Sequence, residues 1–232
     1  MPVANNTAEP PTLETHTAVV PPVKPRLRGV LHLIAFGVSL VTGPALVAAA
    51  PRGGPTLAVA IYATSMSALF GVSALLHRRT WTPEARRIMR RLDHSMIFFL
   101  IAGTYTAIAP LALGGTVAAV ILAIVWIGGA IGVVIELFWL EAPKWAIALP
   151  YVVVGWTAVG AIPQLGSAVG GAGLGLLVGG GLAYTAGAAI YALRWPNPWP
   201  SLFGYHEVFH GLTIVAGAAH YVLIARYVLP LA

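Results

Sequence analysis

The sequence contains no cysteine. A disulfide framework, a thiolate metal site and a cysteine nucleophile are therefore excluded. Charge is almost as scarce. Asp, Glu, Lys and Arg make up 9% of the 232 residues, against about 25% in an ordinary soluble domain. So few charges cannot cover a water-exposed surface. Apolar residues take their place, at 58% of the chain, with a mean hydropathy of +0.84. These values point to an all-α integral membrane protein. Backbone groups in lipid must bond within their own segment, and the apolar runs are continuous, unlike the alternating strands of about ten residues in a β-barrel.

Seven runs are each long enough to cross a hydrocarbon core about 30 Å thick. They are Val30–Ala50, Pro55–His77, Asp93–Leu113, Thr116–Phe138, Trp145–Ile162, Gly170–Leu193 and His206–Leu229. The expected architecture is a seven-transmembrane-helix bundle over residues 24–232. Residues 1–23 hold Pro, Thr, Asn and Glu without a long apolar run. They are expected to form a disordered N-terminal tail, and they lack the basic-then-apolar pattern of a secretory signal. The sixth run is crowded with glycine: Gly170, Gly171, Gly173, Gly175 and Gly179 to Gly181. Such faces let helices approach closely; a flexible gate is the alternative reading.

Net charge is +6. The positive residues fall between the apolar runs, which marks them as topology signals facing anionic lipid rather than a nucleic-acid surface. With seven spans, all 13 Lys and Arg except Arg52 and Arg226 lie on one side. The positive-inside rule puts that side and the N-terminus in the cytoplasm, and the C-terminus outside. The expected location is the cell inner (plasma) membrane, multi-pass. A G-protein-coupled receptor has the opposite orientation.

Ionisable residues inside spanning segments are costly and face the bundle interior. The same topology puts His77, Asp93, His206 and His210 in one cytoplasmic-side layer. His206 and His210 are four apart and project from one helix face, a spacing that suits two imidazoles on one metal ion. His77 supplies a third nitrogen and leaves a position open, the arrangement of catalytic zinc. Ser73 lies one turn before His77 on the same face. Asp93 is placed to orient a ligating His or to take a proton from water. Each group alone reads as an interfacial residue reaching the headgroups; together they favour metal binding. His94 projects about 100° away from Asp93 and is set aside. His220 lies about 15 Å along the axis from His210, too far to join. His32 has the right depth but no partner visible in sequence. Glu136, near the cytoplasmic end of the fourth run, either pairs with the basic loop or lines the site.

His206-Glu-Val-Phe-His210 also fits H-E-x-x-H, in which two His bind zinc and the Glu is general base. An intramembrane metalloprotease using Glu207 is thus one reading. It leaves His77 and Ser73 unexplained, and the chain has no Leu-Asp-Gly segment of the kind site-2-type proteases use.

Several segments together resemble the hemolysin III family, the bacterial branch of the progestin and adipoQ receptor superfamily. They are Pro25-Arg-Leu-Arg-Gly29 leading into His32, Ser73-Ala-Leu-Leu-His77, Asp93-His-Ser-Met-Ile97 continuing to Ala102-Gly-Thr-Tyr-Thr106, and His206-Glu-Val-Phe-His210 followed by Gly217 and His220-Tyr221. The resemblance implies seven helices with a cytoplasmic N-terminus. It implies zinc held by His77, His206 and His210, with Asp93 and Ser73 as the helix-three Asp and helix-two Ser. Alkaline ceramidases in the same superfamily suggest zinc-dependent hydrolysis of a lipid amide, and bacterial members suggest a role in membrane lipid homeostasis. The expected reaction is metal-assisted attack of water on an amide or ester carbonyl. Asp93 accepts the proton and Ser73 is a supporting hydrogen bonder. A membrane lipid enters from the inner leaflet. Arg86, Arg87, Arg90 and Arg91 either hold its anionic headgroup or simply fix topology. A non-enzymatic sensor or receptor with structural zinc is the second class. A pore or proton-coupled transporter is disfavoured, since no charged residue lies near mid-membrane.

Overall fold

Glycine and proline mark where the apolar runs begin. The computed structural model describes residues 24–139 and 143–232; the tail expected over residues 1–23 lies outside them. Among the described residues there are seven α-helices and no named strand. Helix α1 (Val30–Ala49) starts at Gly29, and α2 (Gly54–Arg78) starts at Gly53 with Pro55 in its first turn. Helix α3 (Pro83–Ala112) starts at Thr82, whose hydroxyl accepts from the Ala85 amide at 3.3 Å. Helix α4 (Gly115–Phe138) follows Gly114, α5 (Lys144–Gly155) follows Pro143, and α6 (Ile162–Leu193) carries Pro163 in its first turn. Helix α7 (Tyr205–Leu223) starts at Gly204 and runs on through a wider turn, Ile224–Val228. Pro fits a first turn because its missing N–H has no partner there anyway.

Among the described residues, six helical stretches are long and apolar enough to cross a membrane. One of them, Trp145–Leu193, has 49 residues and is not straight. The chain leaves α5 through a 3-10 turn, Thr157–Ala161. At Gly170 the backbone is non-helical, with φ 69° and ψ 174°, a conformation that suits glycine because it has no Cβ. The result is a hairpin. The Trp156 indole donates to the Thr185 hydroxyl at 2.9 Å, although a straight helix would hold residues 29 apart about 43 Å from each other. The helix after Gly170 begins where the glycine-rich run was expected to begin. Helix α3 differs from expectation. It starts ten residues before Asp93, so the arginine-rich segment is helical rather than a loop. The Thr82 cap and Pro83 nucleate this charged extension.

The bundle is apolar outside and partly polar inside. Leu33, Ile34, Val41, Leu57, Ile127, Ile131 and Val153 are exposed, while His32, Ser39, Ser65, Ser73, His77, Thr104, Glu207, His210, Thr213 and His220 are buried. A water-soluble protein would reverse this arrangement. Several of the buried hydroxyls are satisfied locally: Ser39 bonds the Phe36 carbonyl, Ser65 that of Tyr62, and Thr104 that of Leu100, all within 2.8 Å.

Small residues set the helix spacing. A Cβ at Gly103 of α3 would lie 2.3 Å from the Ser65 hydroxyl of α2. On α6, Gly173, Gly180 and Gly187 face Tyr227, His220 and Phe209. A repeat of seven residues keeps these glycines on one seam. The close-packing reading of the sixth run therefore accounts for this face. His220 uses the room, with Nε2 3.2 Å from the Leu177 carbonyl oxygen.

Candidate metal centre

Two helices distant in sequence meet at the arginine-rich end of the bundle. Helix α2 contributes Ser73 and His77 from its last turns, and α7 contributes His206 and His210 from its first. Both pairs are four residues apart, so each pair shares a face. His206 Nε2 lies 3.2 Å from His77 Nε2. The ligand atoms of His77, His206 and His210 all fall within 4.8 Å of one another. His210 and His77 are buried, at 2% and 7% exposure.

Asp93 enters from α3. Its carboxylate is 3.9 Å from His77 Nε2, beyond direct hydrogen-bonding range, and the Ser73 hydroxyl is directed at it. Thus every residue expected at the site is brought to one place.

The donor set suits zinc. Two nitrogens on a tetrahedral zinc with ordinary bond lengths are about 3.3 Å apart, close to the 3.2 Å observed. His210 Nδ1 is buried without a hydrogen-bond partner, and an unpaired buried polar atom is costly. A bound ion or an ordered water is what ordinarily relieves that cost.

Sequence reasoning left two neighbours out. His32 of α1 stacks on His210, with ring centroids 3.8 Å apart and planes within 6°. Both of its nitrogens are buried without a well-formed hydrogen bond. Its depth was the available signal, but an isolated His carries no spacing that points to a partner. His94 lines the same cavity as Asp93 although it projects differently; its Nδ1 is 3.1 Å from Glu136 Oε2. Glu136 thus lies beside the site through His94.

The segment before α1 folds over the centre. The Arg26 and Leu27 amides donate to the Ser201 and Leu202 carbonyls at 3.1 and 3.2 Å. Arg28, itself partly exposed, forms an ion pair with buried Glu207, and Glu207 also accepts from the Gly204 amide at 2.8 Å. Lys24 lies in the same positive neighbourhood. Partial burial, then Arg86, Arg78 and Arg28, push its amine below the ordinary lysine value.

Gly29 lets this strap pass. Its φ is +79°, and a Cβ there would lie 2.6 Å from His77 Cβ. Gly29→Ala is therefore expected to displace the His77 side chain and weaken metal binding by about tenfold or more, as a misplaced ligand does. Zinc titration of the purified variant checks this; wild-type affinity would show that the contact is not a constraint.

A cavity of about 140 Å³ runs from the cluster between α3, α5, α6 and α7. One water needs roughly 10–15 Å³ by a comparable measure, so the space admits something larger. Ser73, Asp93, His206 and His210 border one end, and Thr104, Trp156 and His220 the other. His206 and His220 are separated by about 21 Å of helix. The walls between are mainly apolar, including Leu69, Ile97, Leu100, Ile147, Val152 and Phe209.

These features define a multi-helix membrane protein with a largely buried three-histidine cluster opening on an apolar cavity. Residues 22–221 match the family described as Haemolysin-III related. The chain is 32% identical to "Hemolysin-3" of Bacillus cereus over 176 residues, 76% of this chain and 77% of the relative. It is 32% identical to "Hemolysin-3 homolog" of Bacillus subtilis (strain 168) over 167 residues, 72% and 75% of the two chains. The chain belongs to the hemolysin III family.

Proposed function

We propose that this protein is a zinc-dependent hydrolase of lipid amides or esters, embedded in the inner (plasma) membrane and acting in membrane lipid homeostasis. The observation that carries the reading is the placement of three imidazoles with Asp93 and Ser73 at one end of an apolar cavity. His77, His206 and His210 hold the ion. When bound, zinc polarises a carbonyl and makes water acidic, with a pKa near 7. Asp93 takes the proton of the attacking water, and Ser73 holds the Asp93 carboxylate in place. The apolar walls take the acyl chain and exclude bulk water.

The hairpin at Gly170 supports reading the 49-residue stretch as two crossings, seven in all. With seven crossings, the positive-inside rule places the N-terminus and the histidine cluster on the cytoplasmic side and the C-terminus outside. The strap over the cluster leaves the inner leaflet as the route for a lipid. Glu207 is committed to Arg28 and to the Gly204 amide, which counts against its use as a protease base. The second reading is a sensor in which zinc staples α2 to α7, and it rests on the fact that the three His come from those two helices alone.

Release of fatty acid from N-acyl and O-acyl lipids separates the two. Asp93→Asn is expected to retain zinc and lose turnover by roughly 10²–10⁴-fold, the usual contribution of a positioned acid or base. No release by zinc-loaded wild type from any lipid of such a panel would sink the hydrolase and leave the sensor.

A further inference from the structure

A second polar group borders the same cavity and has no part in the reaction described so far. His94 of α3 and Tyr151 of α5 both line the cavity. Glu136 of α4 joins them: Oε2 is 3.1 Å from His94 Nδ1, and Oε1 accepts from the Tyr151 hydroxyl at 2.8 Å. The His94 and Glu136 side chains are 13% and 10% exposed. Three helices thus each supply one member.

Both Glu136 oxygens are engaged as acceptors, which is what an ionised carboxylate does. Nδ1 of His94 is then the nitrogen that carries a proton toward Glu136, a tautomer assigned from this network. Nε2 is left for a bound molecule. A carboxylate that fixes the tautomer and orientation of an imidazole is the arrangement used for proton transfer in hydrolases. His94 and Asp93 are adjacent and about 100° apart on the helix, yet both border the cavity. They approach a bound molecule from two sides. A group that only tied α3 to α4 would have no need to form part of the cavity wall.

We propose that His94, held by Glu136 and Tyr151, gives a proton to the leaving group; this rests on the hydrolase reading above. The steps balance. Water loses a proton to Asp93 as its oxygen bonds the carbonyl carbon. The C–N or C–O bond then breaks, its electron pair goes to the leaving atom, and that atom takes the Nε2 proton of His94, which enters the step as the imidazolium with both ring nitrogens protonated. The proton held on Asp93 returns to His94 through water. The sum is addition of one water across one bond, with no oxidant or reductant. Asp93 is the base, His94 the acid, and Glu136 and Tyr151 are positioning residues.

The test uses two probes with one acyl chain: the ethanolamide of dodecanoic acid and its p-nitrophenyl ester. An amine leaves only with a proton, whereas p-nitrophenolate leaves without one. In the zinc-loaded full chain, His94→Gln is expected to slow the amide about 100-fold and the ester no more than about threefold, within the usual range for general acid catalysis. Glu136→Gln is expected to show the same selectivity with a smaller loss, and zinc content is expected to equal wild type in both. Equal loss on the two probes, or no loss on either, would overturn the role while leaving the hydrolase intact. A wild type that turns over neither probe, or only the ester, would remove the amidase reading and this role with it. Should His94→Gln fail to fold, Glu136→Gln alone decides by the same ratio.

Discussion

Alanine in place of His77, His206 or His210 is expected to abolish zinc retention, with each variant losing the metal that the wild type keeps at about one ion per chain. The expectation follows from geometry and from the donor count. Three nitrogens lie within 4.8 Å, and no cysteine thiolate exists anywhere in the chain. Even changes to the partners of ligands cost 10–100-fold in affinity, so loss of a ligand is expected to exceed about 100-fold. Plasma mass spectrometry of detergent-purified protein provides the measurement. The three variants should agree, because α2 supplies one ligand and α7 two. If the His77 variant alone kept its zinc, the ion would belong to α7 and the link between helices would not exist. If the wild type bound no metal when zinc was supplied, the cluster would be an interfacial polar group, and the hydrolase and sensor readings would fall together.

The second large effect concerns the strap. Arg28→Met is expected to destabilise the fold by about 3–5 kcal/mol, because it leaves Glu207 charged and unpaired in the interior. Glu207 is 1% exposed, and the remaining Gly204 amide replaces only part of what the guanidinium supplies. For a chain of this size the corresponding fall in Tm is roughly 6–20 °C. Arg28→Met combined with Glu207→Gln is expected to recover most of it, since the orphaned charge is then gone. Thermal unfolding in detergent reads both variants. A fall of under about 2 °C in the single variant would mean that the ion pair is screened or dispensable. Additive losses in the double variant would show that the two residues do not act on each other.

Much of this was legible in the chain itself. The apolar runs announce helices because lipid leaves the backbone no other partner. His206 and His210 announce a site because a helix brings residues four apart together. His77 followed from depth alone, as both helix ends fall in one layer. What stayed hidden was whatever depends on distant, non-periodic pairing. Arg28 and Glu207 are 179 residues apart, and nothing periodic joins them. His32 finds His210 only because α1 packs beside α7, and His94 finds Glu136 across 42 residues of sequence. The charged start of α3 was hidden for another reason. Hydropathy marks where a helix enters lipid, not where it begins, and the Thr82–Pro83 start lies ten residues outside.

The separation of His77 from His206 by 129 residues also sets an order of events during biosynthesis. Helix α2 leaves the ribosome long before α7, and at about 5–20 residues per second the interval is on the order of 6–26 seconds. For most of it, His77 and Asp93 are already in the chain while two of the three imidazoles have yet to be made. The centre is therefore completed only when α7 is made. A chain that stalls or is clipped before α7 can insert most of its spans and still lack the cluster, so possession of the cluster certifies that synthesis passed His210.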